Sequence, residues 1–327
     1  MLNVQEISSR AELKKFIAFA WEVYRNDPNW VPPLIGDTLN LLDKKKSPFF
    51  EFGEAAYFMA YRDAQPVGRI TAHINRRHNE THGVREGFFG FYECLKDPEA
   101  ARALLAAAEN WVKARGMQKI IGQENFTIYD ELGFMIKGWD AVPATPVIME
   151  TYTPKYYPEQ LEQCGYQKEI DWIAFLVKAD FPVKESLFKI KERLLKRSGL
   201  TLRHINLKKL KEEIEKVKAI FNEAWKENWG HYPFSDRQFE HIAGALKILV
   251  DERVCFMVEK DGTPIACSIS LPDLNPAVKK MNGHLFPFGI FHLLAGKKKA
   301  VGMRTFMMGV IKEYRHLGID VVMVLET

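Results

Sequence analysis

The 327-residue sequence predicts an α/β (α+β) chain of two tandem domains, each a mixed, mostly antiparallel sheet flanked by helices. Three observations point there. Tyr57-Phe-Met-Ala-Tyr-Arg-Asp-Ala-Gln-Pro-Val-Gly-Arg-Ile reads as strand, tight turn, strand. Cys255-Phe-Met-Val-Glu-Lys-Asp-Gly-Thr-Pro-Ile-Ala-Cys-Ser repeats it with Phe, Met, Asp and Pro in the same slots. Upstream, Asn29-Trp30 is echoed by Asn228-Trp229. The period is too long for a solenoid or propeller repeat, so whole domains are duplicated. The expected division is 1–180 and 184–327, with Phe181-Pro182 between them.

In the first copy, residues 2–7 read as a strand. Ser9 then opens a helix to Tyr24, with Glu12 three residues on as its capping-box partner. Asp27-Pro28 stops that helix and Val31-Pro-Pro begins a loop. The hairpin strands follow at 56–61 and 67–74. His78 and His82 fall in a polar stretch expected as a loop rather than a metal site, since it lacks the order His-Glu-x-x-His. Residues 87–94 are an aromatic-rich strand. Asp97-Pro98-Glu99 starts a strong helix that stops at Gly116. Residues 119–122 form a short strand, 123–158 an irregular stretch, 159–163 a helical turn and 171–177 a last strand. The second copy adds a leading helix at 184–196. A strand at 200–205, helices at 207–225 and 236–249, the hairpin and a strand at 303–311 follow. Between the last two lies an insert, 272–299, rich in Pro, Gly, Phe and Lys. Its Phe286–Leu294 stretch and Lys297–Lys299 can be read as an acyl-chain or membrane contact, or as a layer packed over the core.

Composition narrows the function class. No basic start and apolar run opens the chain, and no apolar stretch is long enough to span a bilayer. Cys94, Cys164, Cys255 and Cys267 form no Cys-x-x-Cys pair, which fits free thiols in a reducing cytoplasm. Residues 1–183 carry 21 Lys+Arg and 25 Asp+Glu, against 25 and 17 in 184–327. The lysines do not interleave with exposed aromatics as a nucleic-acid surface requires.

Strand, helices, hairpin, strand, helix, strand is the order of the GNAT superfamily of acyl-CoA-dependent N-acyltransferases, which the chain resembles. The family's pyrophosphate motif, Arg/Gln-x-x-Gly-x-Gly/Ala after the fourth strand, is matched by Arg315 and Gly318, while Asp320 departs from it. The resemblance places coenzyme A, as acetyl-CoA or another acyl-CoA, on Val310, Ile311, Arg315, His316, Leu317, Gly318 and Asp320. There, free backbone N–H groups and a helix start would hold phosphate. The competing reading is a helix to 317 with Gly318 as its stop and a strand at 321–325. The chain is also similar to a bacterial group of tandem GNAT-like proteins through residues 24–33, 87–93, 286–289 and 314–320.

The first copy lacks a glycine loop after its fourth strand. Asp97 and Glu99 there would repel phosphate, so the resemblance implies an acceptor role instead. Glu93, at the end of the fourth strand, takes the position of the family's carboxylate base. Tyr157 is a stand-in for the family's tyrosine acid, whose own slot is Leu161. Glu124, Asn125, Asp130 and Glu131 would hold the amine; a solvated acidic loop is the alternative. The implied activity is acyl transfer, acetyl first, to a primary amine on a small molecule. A non-catalytic acyl-CoA or metabolite sensor and an aminoacyl-tRNA-dependent transferase are the rivals. The second copy is expected to be incomplete at its C-terminus, with an open sheet edge that a homodimer would cover.

Overall fold

The computed structural model describes residues 1–140, 146–246 and 249–327. Two compact units divide them. The first comprises Met1–Trp172 with Leu274–Lys298, the second Ile173–Asp273 with Lys299–Thr327.

The first unit opens with β1 (Leu2–Ile7) and α1 (Arg10–Val23). The capping box is present: Ser9 Oγ accepts from the Glu12 N–H at 3.2 Å, and Glu12 Oε2 accepts from the Ser9 N–H at 2.9 Å. Next come α2 (Ile35–Leu42), a 3₁₀ turn (Pro48–Glu51), β2 (Gly53–Arg62), β3 (Gln65–Asn75) and α3 (Arg76–His82). β4 (Glu86–Cys94), α4 (Pro98–Lys113), β5 (Lys119–Gly122) and α5 (Tyr157–Gln163) complete the main run. The sheet order is β1-β2-β3-β4-β5, antiparallel except for the parallel β4–β5 pair.

Helix α4 explains how the sheet gains a core. Asp97 caps it through the Ala100 N–H, and Pro98 occupies its first position. Its buried face, Ala100, Ala101, Leu104, Leu105, Ala108 and Val112, recurs at helical spacing. That face packs on Ala56, Phe58, Ala60, Ile70 and Ala72 of β2 and β3. Gly68 lets the helix approach: a β-carbon there would lie 2.5 Å from the Leu104 side chain.

In the second unit, α6 (Glu185–Arg197), β6 (Leu200–His204), α7 (Leu210–Ala224) and α8 (Asp236–Leu246) precede β7 (Cys255–Lys260) and β8 (Thr263–Pro272). The insert forms α9 (Asn275–Met281) and α10 (Gly289–Lys299), of which residues through Lys298 belong to the first unit. β9 (Met303–Val310), a 3₁₀ turn (Lys312–Leu317) and α11 (Ile319–Glu326) follow. The second sheet has the order β6-β7-β8-β9, all antiparallel. Its core gathers Phe256, Val258, Ile265, Ala266, Ile319 and Met323.

Several expectations are corrected. The strand expected at 171–177 pairs with no described neighbour, and Ile173, Phe175 and Val177 are exposed. β-Propensity alone makes no strand without a ladder partner. The loop expected around His78–His82 is helix α3, started by Asn75, whose side chain accepts from the His78 N–H at 3.0 Å. Its two imidazoles lie together, but no described group of three ligand-type side chains could hold a metal. Helix α2 stands where a loop was expected, and the helix expected to reach 249 is described only to Leu246, with 247–248 outside the described residues.

Candidate active site

The first unit's candidate centre is built on the inward face of β3. Ile70 and Ala72 pack with α4, so the alternate residues Arg69, Thr71, His73 and Asn75 point the other way. All four are buried. β4 carries an extra residue opposite β3, between Gly90 and Glu93, and Phe91 takes a left-handed φ of 47°. Such a bulge re-aims the strand and removes its N–H groups from the ladder.

Those N–H groups meet side chains instead of a neighbouring strand. β5 pairs with β4 only as far as Phe89–Gly122. Beyond that, the Tyr92 N–H donates to Gln123 Oε1 at 2.9 Å and the Phe91 N–H to Asn125 Oδ1 at 2.6 Å. The Cys94 N–H donates to the Tyr157 hydroxyl at 2.9 Å. Helix α5 thus clamps the strand end, helped by Tyr156, which donates to the Cys94 carbonyl at 2.7 Å. Gly90 is needed here because a β-carbon would come within 2.0 Å of the Glu124 carbonyl oxygen.

Glu93 sits at the centre of this clamp. The Tyr157 hydroxyl donates to its Oε2 at 2.6 Å, and Arg69 Nη2 lies 3.7 Å from its Oε1. Arg69 is held from behind by the Phe16 carbonyl at 2.7 Å and the Ile17 carbonyl at 3.2 Å. Burial pushes the Glu93 carboxyl up to about 7, and the Arg69 charge only partly restrains it. The Tyr157 phenol is also held far above its ordinary value, first by burial and then by the Glu93 charge. Glu93 and Tyr157, expected as a pair, are thus in direct contact. The Glu93 side chain keeps 12% of its surface accessible.

The expected acceptor loop divides. Asn125 Nδ2 donates to Glu131 Oε2 at 2.9 Å, which links the loop to the β4 bulge. Asp130 accepts from the Thr127 hydroxyl at 2.7 Å. Asp130 and Glu131 reach solvent, which tempers the upward push that surrounding protein gives their carboxyls. Glu124 points elsewhere, into a buried compartment. There its Oε1 lies 3.9 Å from His73 Nε2, and the rings of Phe49, Phe88 and Phe126 surround the imidazole. Burial lowers His73 to about 3 and raises Glu124 well above its ordinary value, so in both groups it favours the neutral form. The solvated-loop alternative therefore fails for Glu124 and Asn125, which are buried.

Arg69 and Gln123 were not anticipated. The polar period of two along Arg69-x-Thr71-x-His73-x-Asn75 was the available signal. On a strand, that pattern ordinarily marks a solvent face.

The second unit's candidate lies where β9 ends. The Ile311 N–H donates to the Ile265 carbonyl at 2.9 Å, the 3₁₀ turn follows, and Gly318 turns the chain at φ 69° into α11. Residues 321–325 are therefore helical and not the strand of the alternative reading, while Gly318 does end a helical turn, the 3₁₀ segment to Leu317. No side chain caps α11. Asp320, which departs from the motif, occupies the first helical turn without a capping hydrogen bond. Arg315 Nη2 donates to the Ala224 carbonyl at 2.7 Å, and its Nε to the Val310 carbonyl at 3.2 Å. Its guanidinium thus pins the turn to the ends of β9 and α7, and the first N–H groups of α11 have no side-chain cap. His316 is exposed and Leu317 packs against the core.

No family model matches the chain. It is 36% identical to protein YghO of Escherichia coli strain K12, over 95% of this chain and 79% of that protein. It is 32% identical to the bacterial ceramide synthase of Caulobacter vibrioides, over 96% of this chain and 82% of that protein. A GCN5-related glucosamine N-acetyltransferase region of a fungal multi-domain GH3 β-N-acetylglucosaminidase covers the whole chain with a TM-score of 0.52 at 12% identity, using 33% of that structure. The chain belongs to the family of protein YghO and the bacterial ceramide synthase, and its fold is the GNAT fold in tandem.

Proposed function

We propose that this protein is an acyl-CoA-dependent N-acyltransferase that forms an amide on a primary amine, with its two copies dividing the work. The observation that carries this reading is the strand, left-handed glycine and uncapped helix at Val310–Asp320 on a GNAT fold. The second domain (184–327) offers the backbone N–H groups of that helix to the pyrophosphate of coenzyme A. The first domain (1–180) offers the acceptor side, with Glu93 as base. Glu93 takes a proton from an ammonium bound in that domain, or from water bonded to it, which leaves the neutral amine, the form that attacks a thioester. Tyr157 orients that carboxylate through its 2.6 Å hydrogen bond. The bound thioester supplies the acyl group.

The bacterial ceramide synthase among the relatives favours a long-chain amino alcohol as acceptor and a fatty acyl group over acetyl, because ceramides are amides of that kind. The free thiols fit a cytoplasmic site of action. A second reading, a binding protein without turnover, draws support from Asp320, whose carboxylate stands in the first turn of α11.

The test is release of coenzyme A thiol by the full-length protein. Acetyl- to palmitoyl-CoA would be offered with a panel of short and long-chain primary amines. Release that grows with acyl length and needs a long-chain amine is expected. Gly318→Val should raise KM for acyl-CoA by about tenfold or more, because a β-branched residue resists the left-handed turn. Binding without release for every amine would favour the second reading. No binding of any acyl-CoA would sink both.

A further inference from the structure

We infer that the α9–α10 hairpin of the first unit is a docking surface for an anionic lipid bilayer. Between Asn275 and Lys298 the sequence holds four lysines, two histidines and no acidic residue. The hairpin is firmly seated. Asn282 Oδ1 accepts from Trp21 Nε1 at 2.7 Å, and the Ile35 N–H donates to the Gly283 carbonyl at 3.0 Å. A β-carbon on Gly283 would meet the Trp21 ring at 2.7 Å. A β-carbon on Gly296 would lie 2.5 Å from Ala277 Cβ, so the two helices cross closely. Leu293 and Met281 face inward.

The opposite side is apolar and uncovered. Phe286, Phe288 and Phe291 are 72%, 72% and 66% exposed, and Leu294 is 51% exposed. Phe291, Leu294 and Lys298 follow one another at three- and four-residue steps, so a single helix face runs from aromatic to cationic. Lys280, on α9, is exposed as well.

A rigid hairpin with phenylalanine tips and a lysine border suits an interface where rings enter the acyl boundary and ammonium groups meet phosphate. A water-facing role does not explain adjacent exposed aromatics, which are rare on monomeric surfaces. Charge complementarity selects the occupant, since an acid-free segment is drawn to an anionic headgroup layer. No helix of the described residues is long and apolar enough to cross a membrane, so contact would be at the surface. The inference stands apart from the proposed chemistry, because it concerns where the protein binds and not what it acylates.

Co-flotation of the full-length protein with lipid vesicles tests it. Phosphatidylcholine vesicles would be compared with the same vesicles containing phosphatidylglycerol. Binding is expected only with the anionic lipid, and should weaken as salt rises. Phe288→Ser with Phe291→Ser should lower partitioning by roughly 100-fold, about tenfold for each ring removed from the interface. Lys280→Glu with Lys298→Glu should lower it by roughly tenfold or more on anionic vesicles. Circular dichroism and the thermal unfolding midpoint check that the variants are folded. Equal flotation of wild type and the phenylalanine variant would overturn the proposal, as would no flotation at all. So would a wild-type dimer that the phenylalanine substitutions dissolve while vesicles stay bare, because a second copy would then be the occupant.

Discussion

The ends of β4 and β9 hold equivalent places in the two copies, yet they are finished in opposite ways. At β4, the bulged N–H groups of Phe91 and Tyr92 are taken by Asn125 and Gln123, and the strand end is clamped by Tyr156 and Tyr157. Its following helix starts with Asp97, capped and bridged to Arg62, with Glu99 on the same arginine. At β9, which forms the edge of its sheet, the following helix starts at a bare glycine with no cap. One copy has filled its own donor groups with side chains, and the other starts its helix without a side-chain cap.

The largest expected effect tests whether that buried carboxylate is chemical or structural. Glu93→Gln keeps the shape and a hydrogen bond to Tyr157 but cannot take a proton. Loss of a positioned base costs about 10²–10⁴-fold in rate. The expected outcome is a fall of that size in kcat/KM for the amine, with the KM for acyl-CoA little changed. In the wild type, kcat/KM should rise with pH and reach half its plateau near 7, since burial pushes Glu93 up to about 7. The glutamine variant should lose that limb. An unchanged rate would leave β4 as a merely packed strand and erase the contrast with β9.

Much of this contrast was legible in the sequence, because its signals are local. The hairpins announce themselves through Asp63-Ala64 and Asp261-Gly262, which take left-handed φ values at their turns. The capping box at Ser9 and the Asp97-Pro98 start depend on neighbours three residues away. Gly318 stood out through the family's Arg-x-x-Gly spacing, and it takes a left-handed φ that favours glycine. The unreadable parts depend on distant partners. Arg69 is explained by carbonyls on α1, and Gln123 by an N–H on β4. Residues 171–177 have the composition of a strand, but composition cannot supply the neighbour that would pair with them. Glu124 and Asn125 are adjacent in sequence and serve different compartments, which only the β4 bulge explains.

The seal at β4 can be broken at its tightest point. Gly90→Ala would place a β-carbon 2.0 Å from the Glu124 carbonyl oxygen, a backbone atom that cannot swing aside. Overpacking of a fixed site costs about 1–3 kcal/mol, occasionally more. A loss at or above the top of that range is expected from chemical denaturation, with a lower midpoint and an unchanged slope. Gly36→Ala is the control, since nothing lies within 4 Å of its added carbon and helix α2 gains up to about 1 kcal/mol from alanine. Equal effects from the two substitutions would show that segment 123–125 is not wedged against the bulge.

The effect that builds up most gradually concerns His73 and Glu124, buried side by side behind the seal. His73 is depressed to about 3 from an ordinary value of 6.5, so the unfolded chain takes up its proton first. The stability it supports is present above pH 6.5 and is lost as pH falls toward 3. Glu124 is raised above its ordinary 4.5, so it acts with the opposite sign: its neutral form favours the fold, and that advantage is lost as pH rises through its folded value. Between about 4.5 and 6.5 the two slopes oppose each other, and below 4.5 only the histidine's remains. His73→Phe, which matches the surrounding rings, removes the histidine's part alone. The stability difference between variant and wild type should then move in the variant's favour by about 1.4 kcal/mol for each pH unit below 6.5. Urea melts across that range measure it directly. A difference that stays constant with pH would mean that His73 is protonated in the fold and ion-paired with Glu124. The compartment behind β4 would then hold a charged pair, and its seal would be weaker than the contrast with β9 requires.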